Sequence, residues 1–339
     1  MPKHQYTPRH LLFSGTYRCN LRCPHCCVPI EWKDRLDIAS ARRFTAECAA
    51  IGIRTIGFTG GEPFLYPEFL LEVTCEAAGL GYRFDRISTN GAWYRDLAHL
   101  EQTLRRLFEA GYTGRLSVSV DRFHPVPVDR IAQFCRSAVA VSGRDDALCI
   151  SYASTGRDEG LEEARSLAKE LDGVVEFSKA LGCWMLVSRN LSATLNYNHL
   201  AAVERAENLV DNWDGTWFEE DWCEGPGQAF VVTPRGEVKP CCGFASDLDQ
   251  LTIGNIHEHS AAELVERGRR HPYVGRVFSK GLCSVRAAIL EQHPEEVPGK
   301  TSNHCFFCWF SLTRGLVEGV PGRGGQIGNW VGSEQPAKR

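Results

Sequence analysis

The sequence predicts an α/β protein, a partial (β/α)6 TIM-like barrel followed by a small C-terminal α+β domain built around a metal cluster. Three observations predict it. Short β-rich runs alternate with amphipathic helical stretches from about residue 11 to residue 180, the pattern of successive βα units on a parallel sheet. The texture changes after about residue 210, and cysteines cluster in both regions at metal-ligand spacing.

With 339 residues, 43% of them hydrophobic, the chain can bury one large core and a smaller appendage. The expected strands are 11–16, 55–60, 83–89, 115–121, 148–154 and 174–180, each followed by a helical segment or, after the last, by an irregular crossover. A partial or full barrel fits this array better than an open sheet. Beyond residue 210, Trp213, Trp217, Phe218 and Trp222 are interleaved with Asp214, Glu219, Glu220 and Asp221. A hairpin is expected over 229–233 and 237–239, with helical runs near 261–269 and 284–292. The division is therefore 1–210 for the core domain, 211–318 for the auxiliary domain and 319–339 for a Gly-rich tail.

A formal net charge of −4, with both signs mixed along the chain, gives no basic field for a nucleic-acid backbone. Residues 1–10 are polar and lack the apolar core of a signal peptide, and no run approaches the ~20 apolar residues of a membrane span. A cytoplasmic location is expected, without nucleic-acid or membrane partners. In that compartment thiols stay reduced, so clustered members of the fifteen cysteines read as metal ligands or reactive groups.

Cys19-Asn20-Leu21-Arg22-Cys23-Pro24-His25-Cys26 follows directly on the first expected strand, at the mouth where barrel active sites are built. Three thiolates on a cubane cluster leave one iron open to a ligand that is not protein. A zinc-binding loop is the competing reading. Cys27 adjoins the three but reads as a packed thiol.

Thr59-Gly60-Gly61-Glu62-Pro63 ends the second strand; two glycines let the backbone come close to a ligand, and a carboxylate can accept from an ammonium group. Together, the CxxxCxxC after strand one and the Gly-Gly-Glu-Pro after strand two resemble the radical S-adenosylmethionine (SAM) superfamily, over roughly the first two thirds of the chain. The resemblance implies a SAM-binding 4Fe–4S cluster on Cys19, Cys23 and Cys26, with SAM on the open iron. Electron delivery from an external flavodoxin or ferredoxin would cleave SAM to a 5′-deoxyadenosyl radical that takes a hydrogen atom from the substrate. It also implies that Gly60, Gly61 and Glu62 meet the methionine end of SAM, and that Asn90, Ser119 and Asp121 are candidate contacts to its ribose or methionine. Strand-end capping is the competing role for the last three. His124 could reach the substrate side, although an isolated histidine is more often structural.

Cys223, Gly236 with Cys241 five residues on, and the Cys305–Cys308 pair look like the twitch domain, the shorter relative of the SPASM domain. The likeness implies one auxiliary 4Fe–4S cluster; a structural zinc is again the competitor. Cys242 and Cys283 stay unassigned and are candidates for a catalytic hydrogen donor. Cys48, Cys75, Cys135, Cys149 and Cys183 read as small buried hydrophobes.

A closed auxiliary cluster suits an electron acceptor. The leading expectation is therefore oxidation of a carbon bearing a hydroxyl or amine, on an amino sugar or aminocyclitol in natural-product biosynthesis. The acidic, Trp-rich stretch 213–224 points the same way, towards a cationic carbohydrate partner, and competes with a solvated connector anchored by tryptophans. Radical epimerisation of a carbohydrate with a cysteine hydrogen donor is one alternative. Maturation of a ribosomal peptide is another; the short segment before the first strand leaves no room for a fused peptide-recognition domain, although such a domain can be a separate protein. An electron carrier would need neither an open iron nor a SAM pocket.

Overall fold

The computed structural model describes residues 6–219, 228–241, 243 and 248–322. Five strands, β1 (His10–Ser14), β2 (Thr55–Thr59), β3 (Arg83–Thr89), β4 (Arg115–Ser119) and β5 (Leu148–Ser154), pair in parallel in chain order. They are crossed by α1 (Ile38–Ala50), α2 (Pro67–Gly79), α3 (Leu97–Glu109) and α4 (Val128–Ser142), with α5 (Glu162–Glu170) after β5. Local chemistry sets the helix ends. Asp37 caps α1 by accepting from the Ser40 N–H at 2.8 Å, and Asp96 caps α3 through the His99 N–H at 2.8 Å. On α3, Leu100, Leu104 and Leu107 recur at helical spacing and are buried, which fixes the face laid on the sheet.

Strand alternation divides the two faces of the sheet. Leu116 and Val118 of β4 are fully buried among the core hydrophobes, while Ser117 and Ser119 point the other way. Ser117 Oγ meets Ser151 Oγ at 2.8 Å across β4 and β5.

The sixth parallel position is filled by a strand other than the one expected. β8 (Ser192–His199) pairs in parallel with β5 from Cys149↔Thr194 to Ser154↔His199. The expected segment forms β6 (Val174–Ser178), at the sheet's outer edge and antiparallel to β7 (Cys183–Val187), which returns antiparallel to β8. Burial shows why: Ala193 and Leu195 of β8 are covered, whereas Val174 and Phe177 of β6 stay 57% and 46% exposed. An apolar run alone does not say which strand takes the inner place.

The C-terminal region extends the same sheet from its other side. β9 (Ala229–Val232) pairs in parallel with β1, from His10↔Ala229 to Phe13↔Val232. The expected hairpin follows: β10 (Glu237–Lys239) returns antiparallel through a turn where Gly236 has φ +80°, and β11 (Gly254–Asn255) adds an edge. Among the described residues, four helices complete the region: α6 (Ala261–Arg270), α7 (Pro272–Lys280), α8 (Leu282–Gln292) and α9 (His304–Thr313). Phe230 packs on Phe44 of α1 at 6.0 Å between centroids, so one continuous hydrophobic core runs through both regions. Among the described residues no helix is long and apolar enough to cross a membrane.

Candidate functional site

Cys19, Cys23 and Cys26 lie on the loop that leaves β1, and all three are free thiols. Cys19 Sγ accepts from the Leu21 N–H at 3.4 Å and from Asn90 Nδ2 at 3.7 Å. Burial pushes the Cys23 thiol up to about 12, and the neighbouring Cys26, Cys19 and Asp121 push the same way. Negative charge crowded into a half-covered pocket is what a bound cationic centre would relieve.

The Gly-Gly-Glu segment packs against the cysteine loop. Its glycines admit the cysteine loop itself. The Gly61 N–H donates to Thr16 O at 3.0 Å and the Glu62 N–H to Arg18 O at 2.8 Å. A Cβ on Gly61 would stand 2.3 Å from Arg18 O and 2.4 Å from Tyr17 O; one on Gly60, whose φ is +114°, would stand 2.7 Å from Thr16 O.

Glu62 is fully buried, and its carboxylate accepts from the Phe64 N–H (3.2 Å), Thr89 Oγ1 (3.0 Å) and the Asn90 N–H (2.8 Å). Three of about four acceptor positions are thus taken within the protein. Glu62 braces the end of β3 against the end of β2. Its burial raises the carboxyl to about 7 despite these bonds. Asn90 continues the brace: its side chain donates to Asn20 Oδ1 at 2.8 Å and accepts from the Ala92 N–H at 2.8 Å. Asn20 and Thr89 were not singled out in the sequence, although Asn20 lies inside the cysteine motif.

Ser119 is half-buried at the end of β4 and lines a cavity of about 350 Å³ together with Asp121 and His124. Asp121 is buried and its oxygens are occupied: Oδ1 accepts from the Phe123 N–H and faces His124 Nδ1, both at 2.9 Å, and Oδ2 accepts from the Ala153 N–H at 3.0 Å. Burial alone would raise its carboxyl, but His124, together with His25 and the Ala153 N–H, holds it below the usual range. Asp121 thus ties β4 to β5 and orients His124. The His124 ring lies 4.8 Å from that of His25, between centroids, and His25, Asp121 and His124 bring ligand atoms within 4.8 Å of one another. Burial, and secondarily His124, drives His25 down to about 4. Its Nδ1 is buried with no hydrogen-bond partner among the described residues. An orphaned ring nitrogen between Cys23 and Cys26 in sequence fits a pocket for a polar ligand, as SAM is.

In the auxiliary region Cys241 and Cys308 are buried and Cys305 is half-buried. The Sγ atoms of Cys305 and Cys241 lie 2.9 and 3.7 Å from where a Gly243 Cβ would stand, so both converge on that glycine. Cys305 and Cys308, three apart at the start of α9, share one face near a helix N-terminus, where thiolate charge is favoured. Asn303 caps that helix through the Phe306 N–H at 3.0 Å. Cys223 and Cys242 lie outside the described residues. Cys283 is half-buried at the start of α8, which packs on α7.

The stretch read as a cation-binding surface is used inside the fold. Trp213 stands edge-on to Phe306 (5.1 Å) and Phe310 (4.9 Å), and Trp217 to Phe307 (5.8 Å). Asp214 accepts from the backbone N–H groups of Thr216 (3.0 Å) and Ser302 (3.1 Å). Arg286 covers the Trp217 and Phe218 rings at 4.8 and 4.6 Å.

Three thiols on a strand-end loop and a second set of thiols in the C-terminal region define the class, an iron–sulfur protein. Residues 13–139 match the radical SAM superfamily, and residues 223–283 match the SPASM iron–sulfur cluster-binding domain. The chain is a radical SAM enzyme that carries a SPASM domain; the first domain binds SAM and a 4Fe–4S cluster, and the second binds auxiliary iron–sulfur clusters. It is similar to the PqqA peptide cyclase of Xanthomonas axonopodis pv. citri, 28% identical over 288 residues that cover 77% of this chain and 75% of that one. The PqqA peptide cyclase of Methylobacterium nodulans is 40% identical over 87 residues, 25% of this chain and 22% of that one. In fold it is similar to native anSMEcpe with bound AdoMet, with a TM-score of 0.52, 17% identity, and coverage of 78% of this chain and 82% of that one. It is likewise similar to Streptococcus suis SuiB bound to precursor peptide SuiA, with a TM-score of 0.50, 14% identity, and coverage of 88% and 76%.

These findings overturn the expected substrate. Relatives aligned across both domains are named as peptide cyclases, not as dehydrogenases or epimerases, so oxidation of an amino sugar and a cationic carbohydrate partner are set aside. The acidic, Trp-rich stretch that suggested them spends its described aromatic faces and its Asp214 carboxylate on its own domain.

Proposed function

We propose that the protein modifies a ribosomally made precursor peptide, joining two of its side chains through a radical formed at a carbon atom. The observation that carries this reading is the alignment over 288 residues, through both domains, with PqqA peptide cyclases. In this reading Cys19, Cys23 and Cys26 hold the SAM cluster, and Gly60, Gly61, Asn90 and Ser119 frame the SAM pocket with Glu62 and Asp121 as braces. Cys241, Cys305 and Cys308, with Cys223, hold an auxiliary cluster.

The inner face of the sheet suits a peptide. Ser119 of β4 is in register with Ser151 of β5, which is in register with Asn196 of β8. This row of hydroxyl and amide groups offers donors and acceptors to backbone amides that must leave water to reach the pocket. When bound, SAM and its cluster supply a 5′-deoxyadenosyl radical that removes a hydrogen atom from the peptide. Joining two carbons also releases a proton and one electron, and in this reading the auxiliary cluster would accept the electron. Asp121 fixes the His124 Nδ1 position, which leaves Nε2 as the acceptor of the ring, beside the pocket.

The test is anaerobic incubation of the reconstituted enzyme with SAM, dithionite and precursor peptides encoded near its own gene. The expected product is 5′-deoxyadenosine together with a peptide lighter by two hydrogen atoms and cross-linked by fragmentation. SAM cleavage with every such peptide unchanged in mass would refute the reading.

A further inference from the structure

A buried tyrosine in this protein usually gives its phenol to a backbone oxygen. Tyr82 donates to Thr45 O (2.8 Å), Tyr94 to Arg130 O (2.8 Å) and Tyr112 to Arg115 O (2.7 Å). Tyr273, the second residue of α7 and wholly buried, donates to a sulfur instead: its O–H lies 2.7 Å from Cys308 Sγ. A neutral thiol is a weak acceptor that hardly repays the desolvation of a phenol, whereas a metal-bound thiolate is a charged and much better one.

The geometry is fixed from outside the cysteine. Pro272 starts α7, and His271 caps it by accepting from the Val274 N–H at 3.3 Å. The other ring nitrogen of His271 meets Gln250 O at 2.8 Å, anchoring the start of the helix to the turn after the β10 hairpin. Tyr273 therefore reaches Cys308 from a separately anchored helix, 35 residues away in sequence.

We propose that Tyr273 is a positioning residue for the auxiliary cluster, raising its reduction potential through a phenol-to-thiolate hydrogen bond. This rests on the reading of Cys308 as a ligand. Gaining one electron makes the cluster more negative, so a donor on a ligand sulfur stabilises the reduced form more than the oxidised form. The effect is to make the auxiliary centre a better electron acceptor.

The test uses the full chain with Cys19→Ala, Cys23→Ala and Cys26→Ala, so that only the auxiliary cluster titrates. Redox titration with dithionite and mediators, read by electron paramagnetic resonance, compares this protein with its Tyr273→Phe derivative. At the parent's midpoint potential, the reduced-to-oxidised ratio should fall about tenfold in Tyr273→Phe, a downward shift of about 59 mV for one electron. A midpoint unchanged at full iron content would overturn the proposal. Replacing Tyr273 with 3-fluorotyrosine, a stronger donor of nearly the same shape, should shift the midpoint upward. That sign decides the matter if Tyr273→Phe loses iron, since a purely structural tyrosine would give no upward shift. An iron content in Cys308→Ala equal to the parent's would fail the ligand assignment itself, and the proposal with it.

Discussion

Replacing Gly61 with alanine should remove the SAM cluster while leaving the protein folded. The added Cβ would lie 2.3 Å from Arg18 O, and an ordinary contact begins near 3.4 Å, so the two backbones must part by about 1.1 Å. Parting them carries the 2.8 Å bond from the Glu62 N–H to Arg18 O beyond hydrogen-bond range. Overpacking costs about 1–3 kcal/mol, and the lost hydrogen bond about 1 kcal/mol more. A loss of about 2–4 kcal/mol is tolerable for a domain stable by about 5–15 kcal/mol. The local consequence is larger, because the displaced carbonyls belong to Tyr17 and Arg18, immediately before Cys19. The assay is an iron and sulfide count after anaerobic reconstitution, with SAM cleavage and thermal unfolding on the same samples. Gly61→Ala should lose about four irons, the content of one cubane, and all SAM cleavage, with a cooperative transition retained. Gly79→Ala, where a Cβ meets nothing within 4 Å, is the control and should keep both. Full iron and normal cleavage in Gly61→Ala would refute the argument that these glycines serve the approach of the cysteine loop.

Glu62 predicts a pH dependence. Its folded carboxyl titrates near 7 instead of 4.5, so the stability present below about pH 4.5 is lost as pH rises through about 7, by an amount of order 3 kcal/mol. Denaturant unfolding of the apoprotein should show that fall in the parent and a flatter profile in Glu62→Gln; parallel profiles would contradict it. Trp213→Ala should destabilise by about 3 kcal/mol through its lost contacts with Phe306 and Phe310. SAM cleavage by the folded fraction should be unchanged, whereas a lost peptide interaction with unaltered stability would return this tryptophan to the substrate. Ser260→Ala, which breaks the reciprocal Ser260–Glu263 capping box of α6, should cost about 1 kcal/mol in unfolding experiments with no change in iron content.

Local patterns carried the parts of the site that are local. The cysteine loop and the glycine pair are contiguous in sequence, and the bounds expected for β3 and β5 coincide with those observed. What escaped the sequence was partner choice. Glu62 reads as an outward acceptor until Thr89 and Asn90 arrive from the next strand; Asp121 reads as a ribose ligand until Ala153 and His124 engage both its oxygens. Residues 174–180 carry a sound strand pattern, yet period-two alternation is the same for an inner strand and an edge strand. Trp213 and Trp217 stay open between a ligand-stacking and an anchoring role for the same reason: an aromatic side chain has one composition whether it stacks on a ligand or on Phe306 and Phe307, and the structure shows the anchoring role. The Tyr273–Cys308 contact joins two helices and leaves no mark in either segment alone.

The boundary drawn at residue 210 separates stretches of sequence, but the sheet crosses it. β1, whose end launches the cysteine loop, is paired with β2 on one edge and with β9 on the other. Phe230 and Val232 are fully buried, and Arg43 and Glu47 of α1 bond to the Ile256 carbonyl and the Ala261 N–H. The strand that presents Cys19, Cys23 and Cys26 therefore owes one whole edge of its hydrogen bonding to the C-terminal region. Without β9, β1 would become a sheet edge with its backbone groups unpaired and the Phe44 side of the core uncovered. Loss of order in the auxiliary domain would then reach Cys19, Cys23 and Cys26 through β1 itself. A fold of this kind ties the condition of the auxiliary domain to the assembly of the radical-generating centre by direct strand pairing, with no need for a separate signal between them.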